Sequence, residues 1–243
     1  MDGPLDTWQW LLAAAVVTAG AAIQASVGFG YALAAAPVLA LVSPALVPGA
    51  VLSSSFVLCL VMALRELRHA DLRGVAFALV GRVPGSWLGA AALALVSGPA
   101  VELLFGAIVL CAVWMSLSGL RLRRAPGTLL GVGLLSGVMG TMTSIGGPPI
   151  ALVYQHEEGP RLRATLSLYF AVGTLISIAA LALYGRFGVE QLRQTVLLLP
   201  PVAIGLACSS FTRPWLDRGR TRAGVLIVAA AAAAAVIAKA LWS

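Results

Sequence analysis

The feature that most constrains this chain is the length of its apolar runs. They fall approximately at 8–27, 31–43, 45–64, 72–97, 100–119, 127–144, 147–155, 162–184, 190–211 and 223–241. A helix rises about 1.5 Å per residue and a bilayer's hydrocarbon core is about 30 Å thick, so about 20 apolar residues span it. Most of the runs reach that length. Only 10% of the 243 residues are charged, against about a quarter in a soluble domain. The expected fold is an all-α polytopic membrane protein, with the lipid bilayer as its first partner.

Two runs, 31–43 and 147–155, are too short to span. Each follows a glycine interruption, Gly28-Phe29-Gly30 in one case and Gly146-Gly147-Pro148-Pro149 in the other. They read as halves of broken helices or as re-entrant hairpins. Irregular backbone survives at membrane depth only where protein or a water-filled cavity satisfies its polar groups.

Arginine placement orients the spans. Arg65, Arg68 and Arg73 flank one gap, Arg121, Arg123 and Arg124 fill a second, and Arg161 and Arg163 a third. Arg213, Arg218, Arg220 and Arg222 fill a fourth, so these gaps hold twelve of the 16 basic residues. The gaps around 44 and 98 hold none. By the positive-inside rule the four rich gaps are cytoplasmic, and both termini lie outside the cytoplasm. The acidic start MDGPLDTWQW lacks the basic region of a signal peptide, so the first run is expected to be retained as a span. A net charge of +7 suggests nucleic acid in a soluble protein. Here the basic residues sit in loops without aromatic interleaving, and no nucleic-acid partner is expected.

The two halves, 1–124 and 125–243, overlay on one another. Gly28-Phe29-Gly30 matches Ser144-Ile145-Gly146 at an offset of 116, and Pro84 with Gly89 matches Pro200 with Gly205 at the same offset. Val51 to Phe56 matches Thr165 to Phe170 at 114. Each half holds a glycine-broken pair and three longer helices. Matching helices run in opposite directions under the arginine count, which makes the repeat inverted. Inverted repeats with breaks at corresponding positions point to a transporter whose site lies near the midplane.

Arg82 is the most informative side chain. It lies eleven positions into run 72–97, where a charge costs at least about 2.5–3.5 kcal/mol. No carboxylate lies deep in any run to pair with it, so its counter-ion is expected to be the substrate, a small anion held by the guanidinium fork. Around it stand neutral donors: Gln24 and Ser26 before Gly28 and Gly30, and Thr143 and Ser144 before Gly146 and Gly147. A helix restarting after a glycine break aims free N–H groups at whatever fills the gap. Ser53 and Ser167, matched by the repeat and mid-span, are further candidates. Tyr31, directly after Gly30, is expected to narrow the first half of the site.

No metal or cofactor is implied. His69 and His156 lie in charged loops, and Cys59, Cys111 and Cys208 lie in apolar runs without C-x-x-C spacing. An intramembrane enzyme needs a nucleophile and base, or clustered carboxylates, at depth, and none is present. A non-transporting subunit or assembly factor stays open as the alternative, and so does assembly into a homo-oligomer.

The stretches Gln24-Ala25-Ser26-Val27-Gly28-Phe29-Gly30, Ser144-Ile145-Gly146-Gly147-Pro148-Pro149 and Pro84 to Gly89 resemble the sulfite exporter TauE/SafE family of permeases. The resemblance covers nearly the whole chain. It implies a helical transporter of two repeats in the cell inner membrane, carrying sulfite, thiosulfate, sulfoacetate or a related organosulfonate. Family members often carry a run of glycines where this chain has Gly30-Tyr31-Ala32.

Overall fold

A computed structural model describes the backbone of residues 6–216 and 220–242 and the side chains of 6–209 and 223–242. Each apolar run forms one helix: α1 (Thr7–Val27), α2 (Tyr31–Val42), α3 (Gly49–Glu66), α4 (Leu72–Leu95), α5 (Pro99–Leu117), α6 (Pro126–Thr143), α7 (Gly147–Tyr154), α8 (Gly159–Leu183), α9 (Val189–Leu216) and α10 (Arg220–Trp242). Seven helices are long and apolar enough to cross a membrane, and no strand occurs among the described residues. The chain is a multi-pass helical membrane protein. Arg213, Arg218, Arg220 and Arg222 lie outside the described side chains.

Local chemistry sets the ends of the helices. Prolines occupy the first turns of α5 to α8, where the lost N–H has no intrahelical partner anyway. Asp71 caps α4 by accepting from the Gly74 amide at 3.1 Å. Pro84 sits inside α4, which continues through it to Leu95.

Small residues decide which helices meet. A Cβ on Gly81 or Gly85 would overlap the carbonyl oxygen of Leu130 or Leu134, and one on Gly89 would meet that of Val138. From the other side, Gly133 faces Ala78 and Gly137 faces Arg82. These glycines recur every four residues, so they line one face of each helix and let α4 and α6 run in parallel at backbone contact. α1 and α9 form the corresponding parallel pair. The Thr18 hydroxyl donates to the Pro201 carbonyl at 3.2 Å, and Gly205 packs on Thr18, Ala21 and Ala22. At an offset of 116, Thr18 and Pro201 answer to Leu134 and Gly85, and Ala22 and Gly205 to Val138 and Gly89.

α3 and α8 pack against each other in opposite directions. Leu52 near the start of α3 clusters with Ala180 and Leu181 near the end of α8. At the other extremity Glu66 pairs with Arg163 through two bonds of 3.1 and 3.2 Å.

These directions sort the loops. The segments 65–73, 121–124 and 154–163 meet at one end, the basic end, and 43–48, 98–102 and 185–191 meet at the other. α1 runs parallel to α9, which starts at the second end, and α2 returns there to Pro44. α6 starts beside Arg124 at the basic end and α7 returns there to Tyr154. In each glycine-broken pair the second helix therefore turns back towards the end where the first began, and the two pairs start from opposite ends.

Candidate functional site

The hairpin tips meet in the interior. A small cavity of about 30 Å³ is lined by Gln24, Phe29 and Gly30 from the first hairpin and by Ser144, Gly146 and Gly147 from the second. Arg82 from α4, Ser55 from α3, and Phe170 and Thr174 from α8 complete the wall. The volume is that of one or two water molecules.

Arg82 is 1% exposed. Among the described residues no carboxylate lies within ion-pairing distance of it. Neutral groups hold it instead. Nη1 donates to Ser136 Oγ at 3.0 Å and Nη2 to Ser177 Oγ at 3.5 Å. Its guanidinium carbon lies 5.0 Å from the centre of the Tyr169 ring, a cation–π arrangement worth more when desolvated. Nε has no partner. Ser177 also receives the Thr141 hydroxyl at 2.8 Å and pairs with Ser86 at 3.2 Å, so its hydrogen-bonding capacity is filled. The guanidinium fits closely against Gly140, Gly146 and Gly173 because they have no side chain; a Cβ on Gly173 would overlap Nε. A desolvated guanidinium with no carboxylate nearby and an unpartnered N–H has the chemistry to take an anion.

Half of the residues expected from the sequence come together here: Arg82, Gln24, Gly30, Ser144, Gly146 and Gly147 all line the cavity. The others do not line it. Ser26, Ser53 and Thr143 turn their hydroxyls onto carbonyls of their own helices, those of Ala22, Gly49 and Met139, the usual fate of serine and threonine in membrane helices. Gly28 packs on Arg163, and Ser167 is buried in α8 with no partner for its hydroxyl. Tyr31 does not narrow the site as expected. Its ring is buried against Gly20 and its hydroxyl pairs with Ser54 at 2.7 Å, while Phe29 supplies the aromatic wall.

The two helix starts are also unequal as donors. At α2, the Tyr31 amide is already taken by Gln24 Oε1 at 3.0 Å, and Gln24 Nε2 donates to Cys59 Sγ at 2.8 Å. At α7, Pro148 and Pro149 have no N–H to offer, which leaves the Gly147 amide as the first-turn donor nearest the break.

The surroundings of the cavity differ at its two ends. Towards the second end opens a vestibule of about 490 Å³ lined by Pro48, Met142, Phe105, Glu102 and Arg186, among others. The Ser144 hydroxyl, on the cavity wall, donates at 3.0 Å to the carbonyl of Pro48, which lines the vestibule. Towards the basic end the side chains are tied to one another. Tyr154 donates to Asp71 Oδ2 at 3.0 Å, Arg124 reaches Asp71 at 3.4 Å and Glu157 at 2.7 Å, and Arg161 reaches Glu157 at 3.5 Å. Burial first, then the neighbouring Asp71 carboxylate, push the Tyr154 phenol above its ordinary range, so it stays a donor. The Glu66–Arg163 pair lies alongside.

Two glycine-broken hairpins meet at a buried arginine within a bundle of membrane-length helices, the architecture of a polytopic helical membrane protein. The chain belongs to the sulfite exporter TauE/SafE family, whose model matches residues 12–236. It is similar to the probable sulfite/organosulfonate exporter TauE of Cupriavidus necator, at 28% identity over 175 residues, covering 67% of this chain and 68% of the relative. No solved structure matches it.

Proposed function

We propose that the chain is a secondary transporter that moves a small sulfur-containing oxyanion or organosulfonate across the cytoplasmic membrane by alternating access. Its two halves, 1–124 and 125–243, act as inverted repeats around the cavity at Arg82. The observation that carries this is the Arg82 guanidinium itself: desolvated, without a carboxylate and with Nε unpartnered, it is one ligand short. Sulfite or thiosulfate, presenting two oxygens to the fork, supplies that ligand; the cavity holds only one or two waters, so its wall at Phe29 and Phe170 has to part to admit the anion. The substrate named for the relative from Cupriavidus necator favours the same class of anion.

The inverted repeat is supported by the antiparallel packing of α3 on α8 and by the matched α4–α6 and α1–α9 pairs. Alternating access is supported by the contrast between the open vestibule and the latched basic end. By the arginine rule the basic end is cytoplasmic, which makes the conformation described outward-open. No bond is made or broken in this reading: the protein's part is binding, occlusion and release.

The test is a thermal-shift panel on the detergent-purified chain with sulfite, thiosulfate, sulfate, sulfoacetate, taurine and chloride at matched ionic strength, for wild type and Arg82→Gln. A ligand that prefers the folded state raises the melting temperature. The expected result is a selective rise with one sulfur oxyanion or sulfonate that disappears in the variant. A folded wild type that responds to none of them, or an R82Q that responds equally, overturns the assignment in favour of a non-transporting subunit.

A further inference from the structure

Ser136 is absent from the cavity wall, yet it touches both of the groups expected to hold the anion. Its hydroxyl, fully buried, accepts from Arg82 Nη1 at 3.0 Å and donates to the Gly146 carbonyl oxygen at 2.5 Å. Accepting from a cation polarises the O–H and strengthens its donation, which fits the short second bond. The peptide between Gly146 and Gly147 is trans, so its C=O and N–H point in opposite directions. Pinning the Gly146 carbonyl on Ser136 therefore turns the Gly147 amide the other way. Gly147 lines the cavity, and a Cβ added to it would face the Phe29 and Phe170 rings of the wall.

We propose that Ser136 is a positioning residue for anion binding, locking the Gly146–Gly147 peptide so that the Gly147 N–H and the Arg82 guanidinium converge on one occupant. The inference rests on the anion-site assignment above. The opposite peptide orientation would aim a carbonyl dipole at the anion and remove a donor at a place where Pro148 and Pro149 offer no other. Gly146 has to be glycine for the same reason, because a Cβ there would press on Ser136 and come within 3.3 Å of Arg82 Nη1.

The experiment measures sulfite affinity by calorimetry and sulfite uptake in proteoliposomes. It uses the full chain as wild type, Ser136→Ala, Ser136→Cys, Arg82→Gln and Ser116→Ala. The cysteine variant keeps the volume and loses the strong hydrogen bonds, so it carries the test if the alanine variant folds poorly. Ser116, buried in α5 and not among the cavity-lining residues, controls for the general effect of removing a buried hydroxyl. Expected are a Kd and a KM for sulfite raised about tenfold in both Ser136 variants, at a maximal rate close to wild type, with S116A unchanged. Unchanged sulfite affinity in S136C, with R82Q still abolishing binding, overturns the positioning role alone. Binding in R82Q equal to wild type overturns the anion site and this inference together.

Discussion

Gly28 and Ser144 adopt the same left-handed backbone at the same place in the two halves. Each is the residue after a long helix, with φ of 98° and 67°, and each returns its amide to a carbonyl four residues back, Gln24 at 2.7 Å and Gly140 at 2.8 Å. Their surroundings also correspond, since Gly28 packs on the Arg163 backbone and Ser144 bonds the Pro48 carbonyl. Ser144 is the one non-glycine with positive φ among the described residues. A side chain there costs about 1–2 kcal/mol, and such strain persists where the site depends on it.

From this the ranking of substitutions at 144 follows. Ser144→Gly relieves the strain while losing the bond to Pro48, so its stability should stay within about 1 kcal/mol of wild type. Ser144→Ala keeps the strain and removes one of the two donors to the Pro48 carbonyl, which retains the Leu52 amide at 2.9 Å, at a cost of about 1 kcal/mol. Thermal unfolding in one detergent should rank glycine above alanine. The reverse order would mean that the left-handed turn is not what holds the tip of the second hairpin.

Gly173→Ala is expected to remove anion binding while leaving the helices inserted. The added methyl would overlap Arg82 Nε, so the buried guanidinium has to shift from its place over the Tyr169 ring. Overpacking of this kind costs typically about 1–3 kcal/mol, enough to move the group but not to unfold a ten-helix bundle. The measurement is the thermal shift with sulfite in the variant. A full wild-type shift would show that the guanidinium orientation does not matter to the ligand.

The membrane orientation is tested by labelling from one side. Gly98→Cys, in the loop before α5, should react with an impermeant maleimide from outside intact cells, and Arg123→Cys only after permeabilisation. Both sites are exposed. Same-side labelling would contradict the alternation of arginine-rich and arginine-poor ends on which the inverted arrangement depends.

Much of this was legible in the sequence because it is local. Apolar run length gives the ten helices, and the glycine breaks before Tyr31 and Gly147 give the hairpins. The position of Arg82 within its run gives its depth. What surrounds Arg82 was not legible, since Ser136, Ser177, Tyr169 and Gly173 come from two other helices. A serine that serves an arginine looks in sequence like Ser53, which serves its own carbonyl. The one usable signal lay in the glycine spacing. Gly81, Gly85 and Gly89 against Gly133 and Gly137 set α4 beside α6 in parallel, and that register brings Ser136 to Arg82. Tyr31 misled because proximity to a break in the chain says nothing of which way a ring turns.

The latch at the basic end should set the balance between outward- and inward-open forms. Asp71 caps α4, the helix that carries Arg82, and takes bonds from Tyr154 on the second hairpin and Arg124 before α6. Gly74 leaves room for both, since a Cβ there would strike the Tyr154 hydroxyl and the Asp71 carboxylate. Ser167 reports on the path behind it. It lies on α8 four residues after Arg163 and three before the cavity residue Phe170, hence on the same helical face, and it is fully buried while the latch is closed. In a chain with Cys59, Cys111 and Cys208 replaced by serine, Ser167→Cys should label slowly from the basic side. Adding Tyr154→Phe or Asp71→Asn removes one or two of the bonds that favour the closed end, each worth about 1 kcal/mol or more when partly buried. Labelling should then accelerate roughly five- to tenfold, and added sulfite should change the rate because it prefers one of the two forms. Equal labelling rates with and without the latch would mean that the ion pairs merely cap the helix ends and that the inner barrier lies at Tyr169, directly beneath Arg82.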